Sequence, residues 1–485
     1  MGPFFIDLAI IIIYNCSVIS LLQVSLFVIH LYYIITVGFK IFLMAKSRHS
    51  RKCGIASVER KDLPRYTILI PLYRDAAMVP HLVKNMSALE YPKDKLQVLF
   101  VLEEDDKETI AAASGLMPPF SVVVVPHSMP KTKPKACNHA LKYATGDLLT
   151  IYDAEDRPEP DQLLKAVWSF ENGPKELACV QAALNYFNTY ETVVTRLFTI
   201  EYSFWFSCLI RGLANAGLPF PLGGTSNHFK IDVLKTVGAW DAYNVTEDAD
   251  LGIRLSAMGY KTGFLDSTTW EEAVMHVRPW IKQRTRWTKG YMYTYLQHLK
   301  DGRLMRQTGF WGGFTLQTFI LGTPLVNLLN PWLYAVTIAW LLGADWTANL
   351  FDSVSGVMAM SCLIVGNISM IAGSAMASKK AKPWAILLPV YWMLQSIATY
   401  IALWELYYKP HYWAKTEHGK SAALTKQAPE KRIAVKVTSR LEIKLSEQMK
   451  TQLGDRAAYQ LGYYMESKAR TLTIKNAIQR KLRGK

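Results

Sequence analysis

In LLTIYDAEDRPEP, residues 148–160, an apolar run stops at three acids, Asp153, Glu155 and Asp156, and Pro158 and Pro160 stiffen the chain beyond them. Carboxylates side by side repel one another, so a positive partner belongs among them. All-oxygen donors of this kind suit a hard divalent cation, which readily shares its shell with phosphate oxygens. The plainer alternative is a solvated turn capping a helix that starts near Asp161. PKTKPKACNHAL (130–141) brings Lys131, Lys133 and Lys135 onto a loop entering a helix, where lysine charge and a helix N-terminus both favour phosphate. VTEDADLGIRL (245–255) sets Thr246, Glu247 and Asp248 before an amphipathic stretch; taken locally, it reads as a capped helix start. WIKQRTRWTKGY (280–291) gathers Gln283, Arg284, Arg286 and Trp287 ahead of an apolar region, where Trp, Arg and Lys also serve as interfacial anchors.

The elements that must position these groups are set by hydrophobic patterning. YTILIPLY (66–73), LQVLFVL (96–102), SVVVV (121–125) and DLLTIYD (147–153) are short, β-branched apolar runs, and helical stretches separate them. Alternation of this kind predicts a mostly parallel, doubly wound sheet buried on both faces. Ligands of such sheets bind beyond the carboxyl ends of the strands. Tyr73–Asp75, Glu103–Asp106 and Asp153 all lie at such ends, so three polar clusters converge on one rim and define a nucleotide-sized site.

Of the 485 residues, 50% are hydrophobic, and they are unevenly spread. Residues 1–45 hold a run long enough to cross a bilayer, without a signal peptide's basic start or cleavage site. Lys46, Arg48, Arg51 and Lys52 come next, which by the positive-inside rule keeps the adjoining block cytoplasmic. Residues 46–308 form that block. Residues 309–408 are expected to form a C-terminal transmembrane bundle of four segments, near 310–329, 331–346, 353–376 and 384–407, leaving 409–485 as a basic cytoplasmic tail. The net charge of +16 belongs largely to that tail and to the membrane ends, which argues for an anionic leaflet or a partner protein and against nucleic acid. The six cysteines show no metal spacing and read as free thiols.

The order of the motifs, a strand-end acidic cluster, then T-E-D, then Q-R-T-R-W, then apolar helices, resembles the membrane-integrated family-2 glycosyltransferases. That family includes synthases of cellulose, hyaluronan, chitin and other β-glycans. The resemblance covers Tyr66 to Tyr293 and extends loosely to the flanking helices. It implies an α/β cytoplasmic glycosyltransferase domain of GT-A type, with a Rossmann-like, mostly parallel sheet, inserted between transmembrane α-helices.

Carried over by motif, it implies a donor site of Pro71, Tyr73, Asp75, Glu103, Lys133, Asp153 and Arg286. Asp153 is the first acid of the D-x-D motif, with Glu155 or Asp156 as the second metal ligand for Mg2+ or Mn2+. Asp248 is the base and Glu247 its neighbour. Gln283 and Trp287 meet the acceptor, together with Thr225 and Ser226 of GGTSN (223–227). Glu103 stands where the family usually has Asp, which leaves the nucleotide less defined, a UDP-sugar being the first expectation. The implied activity is inverting transfer of a hexose to a growing β-linked polysaccharide, processive and coupled to extrusion, in an integral membrane protein of bacterial inner-membrane or plasma-membrane type. The alternatives are transfer of one sugar to a lipid acceptor, or a nucleotide-sugar-binding transporter or receptor without catalysis.

Overall fold

The first strand shows how the sequence builds the scaffold. In β1 (Tyr66–Leu72) alternate residues point to opposite faces. Tyr66, Ile68, Ile70 and Leu72 join one buried cluster, and Leu69 joins another on the far side. Burial on both faces requires helices on both faces, which the chain supplies. The computed structural model describes residues 3–49, 62–347, 353–378 and 381–409; the basic tail expected beyond 409 lies outside them.

In chain order, the first half comprises α1 (Pro3–Ser47), β1, α2 (Val79–Ser87), β2 (Leu96–Glu103), α3 (Lys107–Ala113), β3 (Phe120–Val125), α4 (Lys133–Ala140), β4 (Leu148–Ile151), β5 (Arg157–Pro158) and α5 (Gln162–Glu171). Next come β6 (Leu177–Tyr186), α6 (Val193–Phe204), α7 (Arg211–Asn215), β7 (Asn227–Lys230), α8 (Ile231–Thr236), α9 (Glu247–Ala257), β8 (Lys261–Glu271) and α10 (Val277–Asp301). The apolar region contributes α11 (Arg303–Leu316), α12 (Gly322–Leu341), α13 (Ser353–Met360), α14 (Asn367–Ala377) and α15 (Leu388–Tyr408).

The eight strands form one sheet in the order β3-β2-β1-β4-β7-β6-β8-β5. The four strands expected from sequence are present, with β1, β2, β3 and β4 paired in parallel. The sheet as a whole is mixed, because β7 enters antiparallel between β4 and β6, and β5 pairs antiparallel with β8. The reversal brings the 223–227 loop against the end of β4: the Ser226 N–H donates to the Ile151 carbonyl at 2.8 Å.

Among the described residues, five helical segments are long and apolar enough to cross a membrane, and one of them, Val193–Asn215, lies inside the 46–308 block. That segment connects β6 to β7, which are hydrogen-bonded to each other, so its two ends lie on one side of any membrane. It packs instead against the end of α1. Gly212 approaches so closely that an added Cβ would lie 2.4 Å from the Leu43 carbonyl oxygen, and the Asn215 amide caps α1 by donating to the carbonyls of Lys46 and His49.

The C-terminal region differs from the expectation of four segments. Gly309 (φ 67°) kinks the chain inside α11, and the helical run beyond it continues to Leu341 with Pro331 inside α12, so the two segments expected near 310–329 and 331–346 are continuous. Proline leaves a carbonyl one turn earlier without its usual donor. Beside it, the Tyr400 hydroxyl of α15 donates to the adjacent Leu328 carbonyl at 2.7 Å and ties the two helices together.

α15 runs parallel to α10. The Trp280 indole donates to the Tyr391 hydroxyl at 3.1 Å, the Thr285 hydroxyl to the Ala398 carbonyl at 3.2 Å, and the fully buried Lys289 pairs with Glu405 at 2.9 Å. On its other side α10 presses on the start of α9, where an added Cβ on Gly290 would lie 2.3 Å from the Thr246 hydroxyl oxygen. Gly290→Ala is therefore expected to force these elements apart and cost about 1–3 kcal/mol, as overpacking does. A drop in the thermal midpoint of the purified protein in detergent checks this; an unchanged midpoint would contradict so close an approach.

Candidate active site

A large cavity of about 580 Å3 opens beyond the carboxyl ends of β1, β2 and β4. Pro71, Tyr73, Asp75 and Glu103 line one wall, Lys133, Asp153 and Glu155 the floor, and Glu247, Asp248, Gln283, Arg286 and Trp287 the side facing the apolar helices. Strand ends predicted to converge from sequence do so.

The acid turn after β4 divides its three carboxylates. Asp156 is turned inward: one oxygen accepts the Asp153 N–H at 2.7 Å and the Thr225 hydroxyl, while the other is buried with no hydrogen-bond partner among the described residues. It shapes the turn and stays out of the cavity, so the two candidates that face the cavity are Asp153 and Glu155. Ser226 is likewise directed away, donating to the Thr269 hydroxyl at 2.6 Å, and the Thr225 hydroxyl is committed to Asp156 and the Ile151 carbonyl. Among the described residues no cluster of three or more His, Cys, Asp or Glu is set up to hold a metal unaided. Two hard carboxylates facing a cavity still fit a divalent cation whose remaining ligands are diphosphate and water oxygens.

The three lysines of the 130–141 loop have separate partners. Lys131 pairs with Asp105 at 2.6 Å, and Lys135 pairs with Glu103 at 2.9 Å. Of the three, Lys133 reaches the centre, where its ammonium meets Asp153 and donates to the Gly224 carbonyl at 2.7 Å. Asn138, further along α4, fixes this helix by exchanging hydrogen bonds with the Trp240 backbone at 2.7 and 3.2 Å. Gly224 lies between Lys133 and Asp248, an added Cβ falling 3.4 Å from the Asp248 carboxylate.

Asp248 and Glu247 stand in the first turn of α9. Burial raises the pKa of Asp248, although the Ala249 N–H at 2.8 Å, Lys133 and Arg286 all stabilise its charged form. Glu247 is raised by burial and by the adjacent Asp248 charge. Burial would lower Lys133, but Asp153 and Glu247 outweigh it and keep the ammonium charged. The site is thus a concentrated set of half-buried acids around one lysine, with Arg286 lining the same cavity.

Sequence reasoning missed several contributors. Glu271 and Glu272, at the end of β8, line the same cavity, and burial together with Asp156 and Glu155 holds Glu271 well above the carboxylate range. Asp250, the second aspartate of E-D-A-D, does not face the cavity; it binds His298 of α10 at 2.9 Å and Arg254 at 2.7 Å, locking α9 in place. Glu201, Thr323, Asn327 and Gln395 extend the lining into α6, α12 and α15. None belongs to a motif, and only their fold neighbours reveal them.

An α/β domain of GT-A type with a phosphate-sized basic centre between acids is the class that this fold and cavity define. Residues 148–404 match the family described as Glycosyl transferase family group 2, and residues 67–228 match Glycosyl transferase family 2. The first match covers more than half of the chain, and the chain belongs to that glycosyltransferase family. It is 27% identical over 56% of its length to 66% of the probable glycosyltransferase YdaM of Bacillus subtilis. It is 24% identical over 58% of its length to 53% of a probable glucomannan 4-beta-mannosyltransferase of Oryza sativa. It is 25% identical over 59% of its length to 61% of a beta-monoglucosyldiacylglycerol synthase of Nostoc. The chain thus spans about half to two thirds of the length of these relatives. In fold it is similar to a mannosyltransferase of Pyrobaculum calidifontis solved with GDP-Man and Mn2+, with a TM-score of 0.54 at 17% identity, over 81% of this chain and 99% of that one.

The raised pKa of Glu247 sets a sign for stability. A buried acid whose folded pKa lies above its unfolded value destabilises the fold once pH has risen through that window. Glu247→Gln is therefore expected to stabilise the ligand-free protein at pH 8 by on the order of 1–3 kcal/mol, with the gain vanishing near pH 4. Thermal midpoints of both proteins across that pH range test it, and equal midpoints at pH 8 would contradict it.

Proposed function

We propose that this chain transfers a hexose from a nucleotide-sugar donor to a growing β-linked polysaccharide with inversion at C1, and passes the product into its own helix bundle. One observation carries this reading: the cavity that holds Asp153 and Asp248 continues without a break to Thr323 and Asn327 of α12 and Gln395 of α15. An acceptor lying along it has its hydroxyl at the acids and its remaining sugars among the helices. We assign α1 and the helices of 303–408 to the membrane and the block between them to the cytoplasm, the apolar lengths and the basic cluster after α1 supporting this.

In this reading Pro71, Tyr73, Asp75 and Glu103 border the nucleoside, and Lys133 and Arg286 face the diphosphate. Mg2+ or Mn2+ bound by Asp153 and Glu155 would neutralise diphosphate charge as a Lewis acid, a use of metal supported by the Mn2+ in the structural neighbour. Asp248 takes the proton of the attacking hydroxyl, and the hydroxyl oxygen forms the new bond to C1 as the C1–O bond to the diphosphate breaks. Burial makes Asp248 a stronger base than an exposed aspartate. Charge growing on the departing diphosphate is met by Lys133, held by Asp153 and the Gly224 carbonyl, and by Arg286 on the same cavity wall. Trp287 offers a flat face to the acceptor ring, so attack becomes effectively intramolecular. Single attack from the side opposite the diphosphate converts an α-linked donor into a β-linkage.

A lipid acceptor is the second reading. Tyr202, Trp205, Phe206 and Leu222 give the cavity an apolar wall, and the Nostoc relative is named for a glycolipid product.

The test is incubation of the purified protein in liposomes with Mg2+ or Mn2+ and UDP-glucose, UDP-N-acetylglucosamine or GDP-mannose in turn, measuring released nucleotide and product size. A long polymer from one donor is expected, abolished by EDTA and reduced about 10²–10⁴-fold in Asp248→Asn. Single-sugar lipid products would replace the polymer reading with the lipid one, and no turnover with any donor would overturn both.

A further inference from the structure

The first arginine of Q-R-T-R-W does not reach the acids. Arg284 forms a two-pronged pair with Glu201 of α6, one guanidinium nitrogen lying 2.8 Å from one carboxylate oxygen and the other meeting the second oxygen. Glu201 also accepts from the Tyr391 hydroxyl at 2.6 Å and the Gln395 amide at 3.0 Å, both on α15. Its carboxylate thus receives four hydrogen bonds from two helices and fixes α6, α10 and α15 at one point. The guanidinium sits among three rings, 4.6 Å from the centre of Phe198, 5.2 Å from Trp280 and 4.6 Å from Trp287. Trp287 is held on its other contacts by Tyr202 and Phe198, with ring centres 6.3 and 6.1 Å away. A cation enclosed by aromatic rings is attracted to their faces but needs a counter-charge once water is excluded. Glu201 is that counter-charge, and it lines the same cavity as Trp287.

We propose that Glu201 is a positioning residue for the acceptor: through Arg284 it holds the Trp287 face in place, and through Tyr391 and Gln395 it registers that face to the helix α15 along which the product must leave. The inference rests on reading the cavity as a sugar-transfer site. It separates the two halves of that site, because the clamp touches neither Lys133 nor the acid turn. When the clamp is lost, the donor still binds and Asp248 still accepts a proton, but the acceptor hydroxyl is no longer held. Water then attacks C1 in its place, giving free sugar and nucleoside diphosphate, with the water proton passing to Asp248. An ion pair that merely supported the fold would loosen donor and acceptor sides together.

The experiment uses the full-length protein in liposomes with the donor that the wild type turns over, and measures nucleotide released per sugar incorporated alongside the donor KM. Glu201→Gln is expected to raise that ratio at least about fivefold while leaving the donor KM within about twofold. Tyr391→Phe, which deletes one of the four hydrogen bonds, is expected to act in the same direction, about twofold. It also supplies the measurement should Glu201→Gln fail to fold. An unchanged ratio in the folded variants overturns the proposal, as does a rise matched by an equal rise in donor KM. Both outcomes leave wild-type transfer standing, whereas a wild type that transfers no sugar at all removes the sugar-transfer reading and this inference with it.

Discussion

Lys133 stands between carboxylates delivered by elements far apart in the chain, Asp153 at the end of β4 and Glu247 at the start of α9. The arrangement needs a cation at that point, since acids packed this closely and this deep repel one another at several kilocalories per mole without one. Much of the surrounding architecture serves to deliver it. The Asn138–Trp240 exchange fixes the lysine's helix, Gly224 leaves space between the ammonium and Asp248, and the antiparallel entry of β7 brings that glycine loop to the end of β4. A nucleotide diphosphate would enter a site already arranged around a charge balance that its own phosphates alter.

The two sides of the cavity are built on different principles. The wall proposed to bind the donor rests on strand ends, whose positions are set by register: β1 and β2 pair from Tyr66 with Leu96 through Leu72 with Leu102, so their loops emerge level. The wall proposed to bind the acceptor rests on helix packing, with α10 wedged between α9 and α15. Asp250 and His298 hold it on one side, and Lys289, Thr285 and Trp280 on the other. Strand register is stiff over short distances, whereas helix contacts allow small sliding movements.

The parts of the molecule legible in the sequence divide along the same line. β-branched runs ending in acids disclosed the sheet rim, because strand alternation and strand ends are local properties. The motif residues at the cavity were given by their order along the chain. The choice between Glu155 and Asp156 was not, since it depends on the Thr225 hydroxyl arriving from a loop 69 residues away in sequence. Glu201 was invisible for a related reason: it lies in an apolar helix that reads as packing or span, and its partners are 83, 190 and 194 residues distant. Pro331 invited a break, yet α12 runs on through it, so two expected segments are continuous.

Lys289 has no exposed side-chain surface, and its charge is met by Glu405 and the Lys409 carbonyl from the far end of α15. A fragment ending after α10 would keep the whole sheet, the acid turn and Asp248, yet would bare the face of Trp280 and strand an ammonium against apolar surface. The border between the sheet domain and its apolar helices is therefore no place to cut. Whatever exchanges of helix bundle have occurred among proteins built this way, α6, α10 and α15 would have had to travel together.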